Sequence, residues 1–525
     1  MDTQRLSTLG KNGDGGGDQK SIIVVSNRGP LEHFVDVQGE LRCRAAGGGV
    51  ATALSSVAES VPLTWIATAL SEGDREAAKR GPIYLGRGKR LRLVSVGERA
   101  LDLFYNHFCN PLLWFLQHSL CDNGYVRPEL LAKAPEAWEQ GYVTVNQAIA
   151  EAVAAEVRAR GNCRGVMLHD YHLYAAPLFI RNLCPRVALQ HFIHIPWPGL
   201  EAWQLLPRPI VDSIHEGLLA NDSVVFQNEA SAQQFLVSCW SFVPDARIDF
   251  SQGVVRHRGR SIRVWSNPMS VNVFELRAHL SSPEAQGYRE ALAAEAGERT
   301  IVRVDRMDPS KNIVGGFRAF DRLLREHPEW RGRVKFLAFL VPSRTGVPEY
   351  RAYAEDAFKL VDEINARYGS PGWTPIKVFY EQNRLQALAV LTLYDVLLVN
   401  SLADGMNLVA KEGPAVNRTD GALVLSTTAG AFEELREGAI AVRADDVEGT
   451  ARALHAALSL SEGERRERAY LLRRALFRHD LGRWLRLMLE DLDGAMTSAA
   501  AAGHTFASGH LDLRADSRPF GRASP

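Results

Sequence analysis

The chain has 525 residues, 46% hydrophobic and 23% charged, enough for two or three soluble domains at ~150 residues each. Lys plus Arg equals Asp plus Glu at 61 apiece, so no net charge favours a nucleic-acid partner. No run of ~18 apolar residues occurs, which excludes a membrane-spanning helix.

Residues 1–19 are rich in Gly and Asp and lack an apolar core, so they read as a disordered lead rather than a secretory signal. A cytoplasmic location is expected. The six cysteines (Cys43, Cys109, Cys121, Cys163, Cys184 and Cys239) include no CxxC pair, and they read as buried thiols rather than zinc ligands or disulfides. Short apolar runs then recur at 21–25, 165–168, 190–193, 223–226 and 262–265. A second set lies at 300–304, 334–340, 376–379, 396–399 and 422–425. Bounded by polar turns and separated by amphipathic stretches such as 360–364 and 451–458, they predict buried parallel strands with crossover helices. The class is α/β, with two doubly wound units. Residues 267–270 (Asn-Pro-Met-Ser) are the expected hinge, because Pro biases its predecessor away from helix. The units are therefore 20–268 and 269–496, followed by an Ala/Gly/Ser-rich tail over 497–525. No internal repeat is apparent.

In such sheets ligands bind beyond the carboxyl ends of strands. The first run leads into Ser26-Asn27-Arg28 and then Gly47-Gly48-Gly49, which reads either as a flexible turn or as a backbone cradle for phosphate. The run ending at Leu168 leads into His169-Asp170-Tyr171-His172, and the one ending at Ile193 into His194-Ile195-Pro196-Trp197. His169 and His172 read equally as hydrogen-bonded structural histidines or as catalytic or sugar-binding groups. A metal reading lacks a third ligand at usual spacing.

After the 300–304 run, Asp308 is an expected N-cap with Pro309 at the first helical position. That puts Lys311 in the first turn, against the helix dipole, and an anion held by Arg306 and Lys311 would resolve the conflict. After 396–399, Asp404 and Glu412 stand eight residues apart, near one face if the stretch is helical, and carboxylates there suit polyol hydroxyls.

Taken in order, SNR, the AGG turn, FYNxFxNxxLW, HDYHL, HIPWP, RMDPSKN, PSR and DGMNLVAKE resemble the trehalose-6-phosphate synthases over roughly residues 21–490. The resemblance implies a GT-B arrangement, two facing Rossmann-like domains with the active site in the cleft. It implies Arg28 and Arg344 on the acceptor's phosphate, with Tyr105, Trp114 and Asp170 beside the acceptor. Residues nine apart oppose each other on an ideal α-helix, so Tyr105 is expected on the loop entering that helix. On the sugar-donor side it implies Gly48, His194, Arg306, Lys311, Asp404, Asn407, Leu408, Val409 and Glu412. The resemblance implies Asp170, His194, Arg306 and Lys311 as the catalytic set.

The implied reaction moves glucose from a nucleotide donor to glucose 6-phosphate with retention, giving α,α-trehalose 6-phosphate. No metal or other cofactor is expected, because Arg306 and Lys311 answer the leaving diphosphate. Small-molecule substrates are the expected partners, without nucleic acid or membrane. Homo-oligomerisation is left open, and a separate phosphatase is expected downstream. The segment that touches the nucleobase in the family reads Tyr380-Glu381-Gln382-Asn383 here, without a His-Phe pair. Glu381 can accept two hydrogen bonds from guanine, so GDP-glucose stands beside UDP-glucose. The alternatives are another acceptor, as in glucosylglycerol-phosphate synthases or cyclitol-coupling relatives, or a non-catalytic sugar-phosphate sensor.

Overall fold

The computed structural model describes residues 4–5, 21–46, 62–86, 88–121, 124–161 and 163–502. All ten apolar runs form strands within two residues of their expected limits. Those of Ser21–Ser26 and Val396–Val399 are buried along their whole length, as a parallel strand covered on both faces requires.

The first sheet has ten strands, in the order Arg247–Asp249, Val254–His257, Arg260–Ser266, Ser223–Phe226, Leu189–Ile193, Cys163–His169, Ser21–Ser26, Leu63–Thr68, Lys89–Val94 and Ile83–Gly86. Its seven central strands, from Arg260–Ser266 to Lys89–Val94, are parallel. The second sheet is wholly parallel, in the order Ile376–Tyr380, Val334–Val341, Arg299–Arg306, Val396–Val399, Ala422–Ser426 and Ile440–Val442. Counted along the chain, the first parallel set runs 3-2-1-4-5-6-7 and the second 3-2-1-4-5-6, the doubly wound order with its crevice between strands 1 and 4. Those crevices open at Ser26 and His169 in one sheet, and at Arg306 and Val399 in the other.

Lys89–Val94 escapes the apolar-run rule because it carries Arg90 and Arg92. Both guanidinium groups pair with Glu156 of helix Thr144–Arg160, which neutralises them at the edge of the core.

The final helix, Leu481–Ala502, corrects the expected domain limits. Residues 481–496, expected in the second unit, cross back and cover the first sheet. Leu481, Trp484, Met488 and Leu492 are buried against it, and Trp484 meets Phe192 edge-on at 5.5 Å. Asp491 accepts from Gln190 Nε2 and Arg263 Nη1, both at 2.6 Å. The chain thus crosses between the units twice, at Asn267–Ser270 and near His479, and Asn267 Nδ2 ties the two crossings by donating to Trp484 O at 3.0 Å.

The leading tail lies outside the described residues except Gln4–Arg5, which pair with Cys43 and Arg42. The trailing tail is helical to Ala502 and lies outside the described residues beyond it. Four of the six cysteines, Cys43, Cys109, Cys184 and Cys239, are buried. Among the described residues no helix is long and apolar enough to cross a membrane.

Candidate active site

On the first wall, Arg28 follows the Ser21–Ser26 strand, and Ser26 Oγ donates to its carbonyl at 2.6 Å. Arg28 Nη1 donates to Glu32 at 3.2 Å and Nη2 to the Tyr105 hydroxyl at 3.1 Å. Tyr105 does not sit on an entering loop. It lies inside Leu103–Leu113, a π-helix whose wide bonding continues with Trp114 N–H donating to Cys109 O. With i→i+5 bonds, nine residues span about two turns rather than two and a half, so Tyr105 and Trp114 fall on one face. They converge on the same ring pair, Tyr105 stacking on His172 at 6.3 Å and Trp114 approaching Tyr171 at 5.7 Å.

The Cys163–His169 strand ends in Asp170 at φ 75 and ψ 173, a conformation that strains any residue but glycine. Its own N–H donates to Phe192 O at 2.8 Å, and its carboxylate accepts the His194 N–H at 3.2 Å. Burial pushes the Asp170 carboxyl up to about 6, while Arg306 and Arg344 pull the other way. Burial also holds three histidines neutral: His169 falls to about 3, His191 to about 4, and His194 well below its ordinary value. His172 is depressed by burial and by Arg344 and Arg28, and packs on Tyr171, which fits the structural reading of that residue.

On the second wall, Asp308 caps as expected, its Oδ1 accepting Ser310 N–H at 3.0 Å. Pro309–Lys311 is a single 3-10 turn, and helix Ile313–Glu326 restarts after Asn312 at φ 54. The conflict expected at Lys311 is answered within the protein, because its ammonium pairs with Asp404. Asn407 Nδ2 supports the same carboxylate oxygen at 3.0 Å. The expected common face for Asp404 and Glu412 is not formed. Helix Val409–Val416 starts too late to include Asp404, and Glu412 instead accepts from Arg384 Nη2 at 3.1 Å. Asn407 Oδ1 takes the Ala410 N–H at 3.2 Å, while among the described residues Leu408 and Val409 N–H find no acceptor, leaving two donors at a helix start. Glu381 is exposed on the loop after Ile376–Tyr380. Gly48 lies outside the described residues.

Arg344 joins the walls. Its Nε donates to Asn110 Oδ1 at 2.8 Å and its Nη2 to Tyr171 OH at 3.4 Å on the first unit. Its Nη1 donates to Asp308 Oδ2 at 2.7 Å and Tyr350 OH at 2.6 Å on its own. The guanidinium lies 4.0 Å over the Trp114 ring, with Arg306 at 5.0 Å. Burial opposes ionisation of the fully enclosed Asp308, yet Arg344 and Arg306 hold its carboxyl far below the usual range. Trp114 Nε1 donates to Asp308 Oδ1 at 3.3 Å, so one carboxylate gathers groups from both units. Nearby, a Cβ on Gly405 would lie 1.9 Å from His194 O, so only glycine lets the walls approach so closely.

A sequence profile described as Glycosyltransferase family 20 matches residues 20–494. The chain belongs to glycosyltransferase family 20. It is 34% identical over 502 residues to the trehalose-6-phosphate synthase of Mycolicibacterium smegmatis, covering 93% of this chain and 94% of that one. It is also 34% identical over 475 residues to the bifunctional trehalose-6-phosphate synthase/phosphatase of Thermoproteus tenax, covering 88% of this chain but spanning only 62% of that relative. Among solved structures, the α,α-trehalose-phosphate synthase (UDP-forming) from Burkholderia xenovorans in complex with glucose-6-phosphate superposes with a TM-score of 0.77 at 26% identity, covering 90% of this chain and all of that one.

This family 20 glycosyltransferase therefore has the GT-B fold expected from its motifs. Sequence reasoning missed Asn110, Tyr171, Tyr350 and Arg384 as members of the site. Asn110 and Tyr171 stood within quoted motifs, but their role as anchors for Arg344 depends on a partner more than 170 residues away. The described residues hold one group with metal-ligand spacing, His327, Glu329 and His455. It sits before the amino end of Val334–Val341, whereas the cleft lies at the carboxyl ends of the strands.

Proposed function

We propose that this glycosyltransferase transfers glucose from UDP-glucose to glucose 6-phosphate with retention, yielding α,α-trehalose 6-phosphate. The observation that carries the reading is the meeting of Arg28 and Arg344, one from each unit, around Tyr105: Arg28 donates to its hydroxyl, and both guanidinium groups favour the phenolate. Two arginines over an aromatic floor suit a sugar phosphate. Across the cleft, Arg306, Lys311 and the free N–H groups of Leu408 and Val409 suit a diphosphate, and Glu412 a ribose.

In this reading the bond from glucose C1 to the diphosphate oxygen breaks, and the anomeric oxygen of the acceptor bonds to C1 on the same face. The acceptor's proton passes to the departing diphosphate. Arg306 and Lys311 answer the charge that develops there, so no divalent metal is needed. Asp404, freed from Lys311 by the arriving diphosphate, accepts from glucose hydroxyls. Release of trehalose then falls to a phosphatase.

The test incubates the purified protein and EDTA with glucose 6-phosphate and UDP-, GDP- or ADP-glucose, scoring nucleotide release and sugar product. Trehalose 6-phosphate from UDP-glucose is expected. Donor hydrolysis alone, or product only with glycerol 3-phosphate or a cyclitol, would overturn the acceptor. GDP-glucose is the second reading, favoured by the exposed Glu381 near the Arg384–Glu412 pair. An unchanged UDP/GDP preference in Glu381→Gln would sink it.

A further inference from the structure

We propose that Gln227 is a positioning residue that fixes the proton of His194 on Nε2 and ties that histidine to the first crossing between the units. Gln227 follows strand Ser223–Phe226 and is buried, as is Met269 in the crossing. Its carbonyl oxygen Oε1 accepts the Met269 N–H at 2.9 Å, and its Nε2 lies 3.2 Å from His194 Nδ1.

The orientation of this amide follows from Met269. A backbone N–H can only donate, so the Gln227 atom facing it must be the oxygen, and the atom facing His194 must be the NH2 group. A ring nitrogen that receives an N–H supplies a lone pair, so His194 Nδ1 carries no proton. Neutral imidazole keeps one proton, and it stands on Nε2. His194 Nε2 lies 3.1 Å from His169 Nδ1, which completes the order: Gln227 donates to His194, and His194 donates to His169. An imidazolium would set Nδ1–H against the amide N–H. The other groups facing the ring disfavour charge as well: His169 from the neighbouring strand, His191 from the strand that His194 itself follows, and the Phe192 ring at 4.5 Å. Asp170 engages the backbone N–H of His194 through Oδ1, not its ring.

The far side of the link reaches the second unit. Met269 O accepts from Lys411 Nζ at 2.8 Å, and Lys411 belongs to the helix that starts at Val409. Next to Gln227, Asn228 Nδ2 donates to Gly405 O at 3.2 Å, directly across the cleft. The contact between the walls and the tautomer of His194 are therefore set by two adjacent buried amides, Asn228 and Gln227. The consequence for catalysis rests on the function proposed above: with the sugar donor bound, the His194 Nε2–H keeps its proton and exchanges its hydrogen-bond acceptor, His169 Nδ1, for a glucose hydroxyl.

The test begins with the unliganded wild-type protein, which needs no activity. Long-range 1H–15N correlation of ring-labelled histidine, with the His194 signals assigned by their loss in His194→Gln, should show a protonated Nε2 and a bare Nδ1. A proton on Nδ1 overturns the proposal whether or not the synthase reading stands. Gln227→Glu keeps an acceptor for Met269 but presents only acceptors to His194, so the ring proton should move to Nδ1. Its kcat should fall by about 10–100-fold with the acceptor KM unchanged. Gln227→Met should lose the fixed tautomer and show both forms. An unchanged His194 spectrum in Gln227→Glu, even with reduced turnover, would reduce Gln227 to a structural part and overturn the inference.

Discussion

At the crevice of the first sheet, His169, His191 and His194 are neutral and Asp170 is pushed toward protonation. At the corresponding crevice of the second sheet, Arg306, Lys311, Asp308 and Asp404 form ion pairs. The strand order around the opening is the same and so is its position, yet the His169–His194 side of the first wall works through uncharged hydrogen bonds, with the charge kept apart at Arg28, and the second wall works through charge. The backbone topology thus supplies the place and the strand-end residues supply the chemistry. A neutral wall suits the orientation of hydroxyls, and a charged wall suits an anion that gains charge as it leaves.

Removing charge from the second wall gives the largest expected effect. Lys311→Ala should lower kcat by about 10²–10³-fold, read by nucleotide release at saturating substrates. A loss below about tenfold would mean that the leaving group is served elsewhere and the contrast between the walls is false. Next comes the join between them. Arg344→Met leaves Asp308 charged and enclosed, which should cost about 3–5 kcal/mol in urea unfolding. Adding Asp308→Asn should restore most of that loss. A double variant no more stable than the single one would show that the pair is not the link.

The smallest effect belongs to the neutral wall. The Asp170 carboxyl is raised to about 6, so the fold prefers it protonated, and the wild-type protein loses that preference as pH rises through 6. Asp170→Asn should therefore raise the melting temperature at pH 8 and have little effect near pH 4.5. The reverse order across that window would place an ionised, well-solvated carboxylate at this strand end.

Much of this was legible in the chain. Buried parallel strands must be apolar along their length, so the runs at 223–226 and 396–399 announce themselves to the residue. Residues such as Asp308 and Pro309 carry their own capping chemistry. What stayed hidden depends on partners far away in sequence. Lys89–Val94 is a strand because Glu156 neutralises its arginines, and Lys311 is at ease because Asp404 lies beside it. Tyr105 and Trp114 share a face through a change of helical pitch, which residue spacing alone misreads. The Leu481–Ala502 helix has an apolar stripe that says it is covered, but nothing local says by which sheet.

That returning helix also has a consequence for synthesis on the ribosome. The rear faces of strands Cys163–His169, Leu189–Ile193 and Ser223–Phe226 receive their cover from the last described segment of the chain. At about 5–20 residues per second, the roughly 240 residues that separate the last parallel strand of the first sheet from the end of the helix take on the order of ten to fifty seconds to emerge. During that interval Met167, Phe192 and Val225 lack their partners Trp484 and Met488. The sheet made earlier is therefore completed by a segment made much later, and its nascent apolar face stays uncovered until that segment arrives.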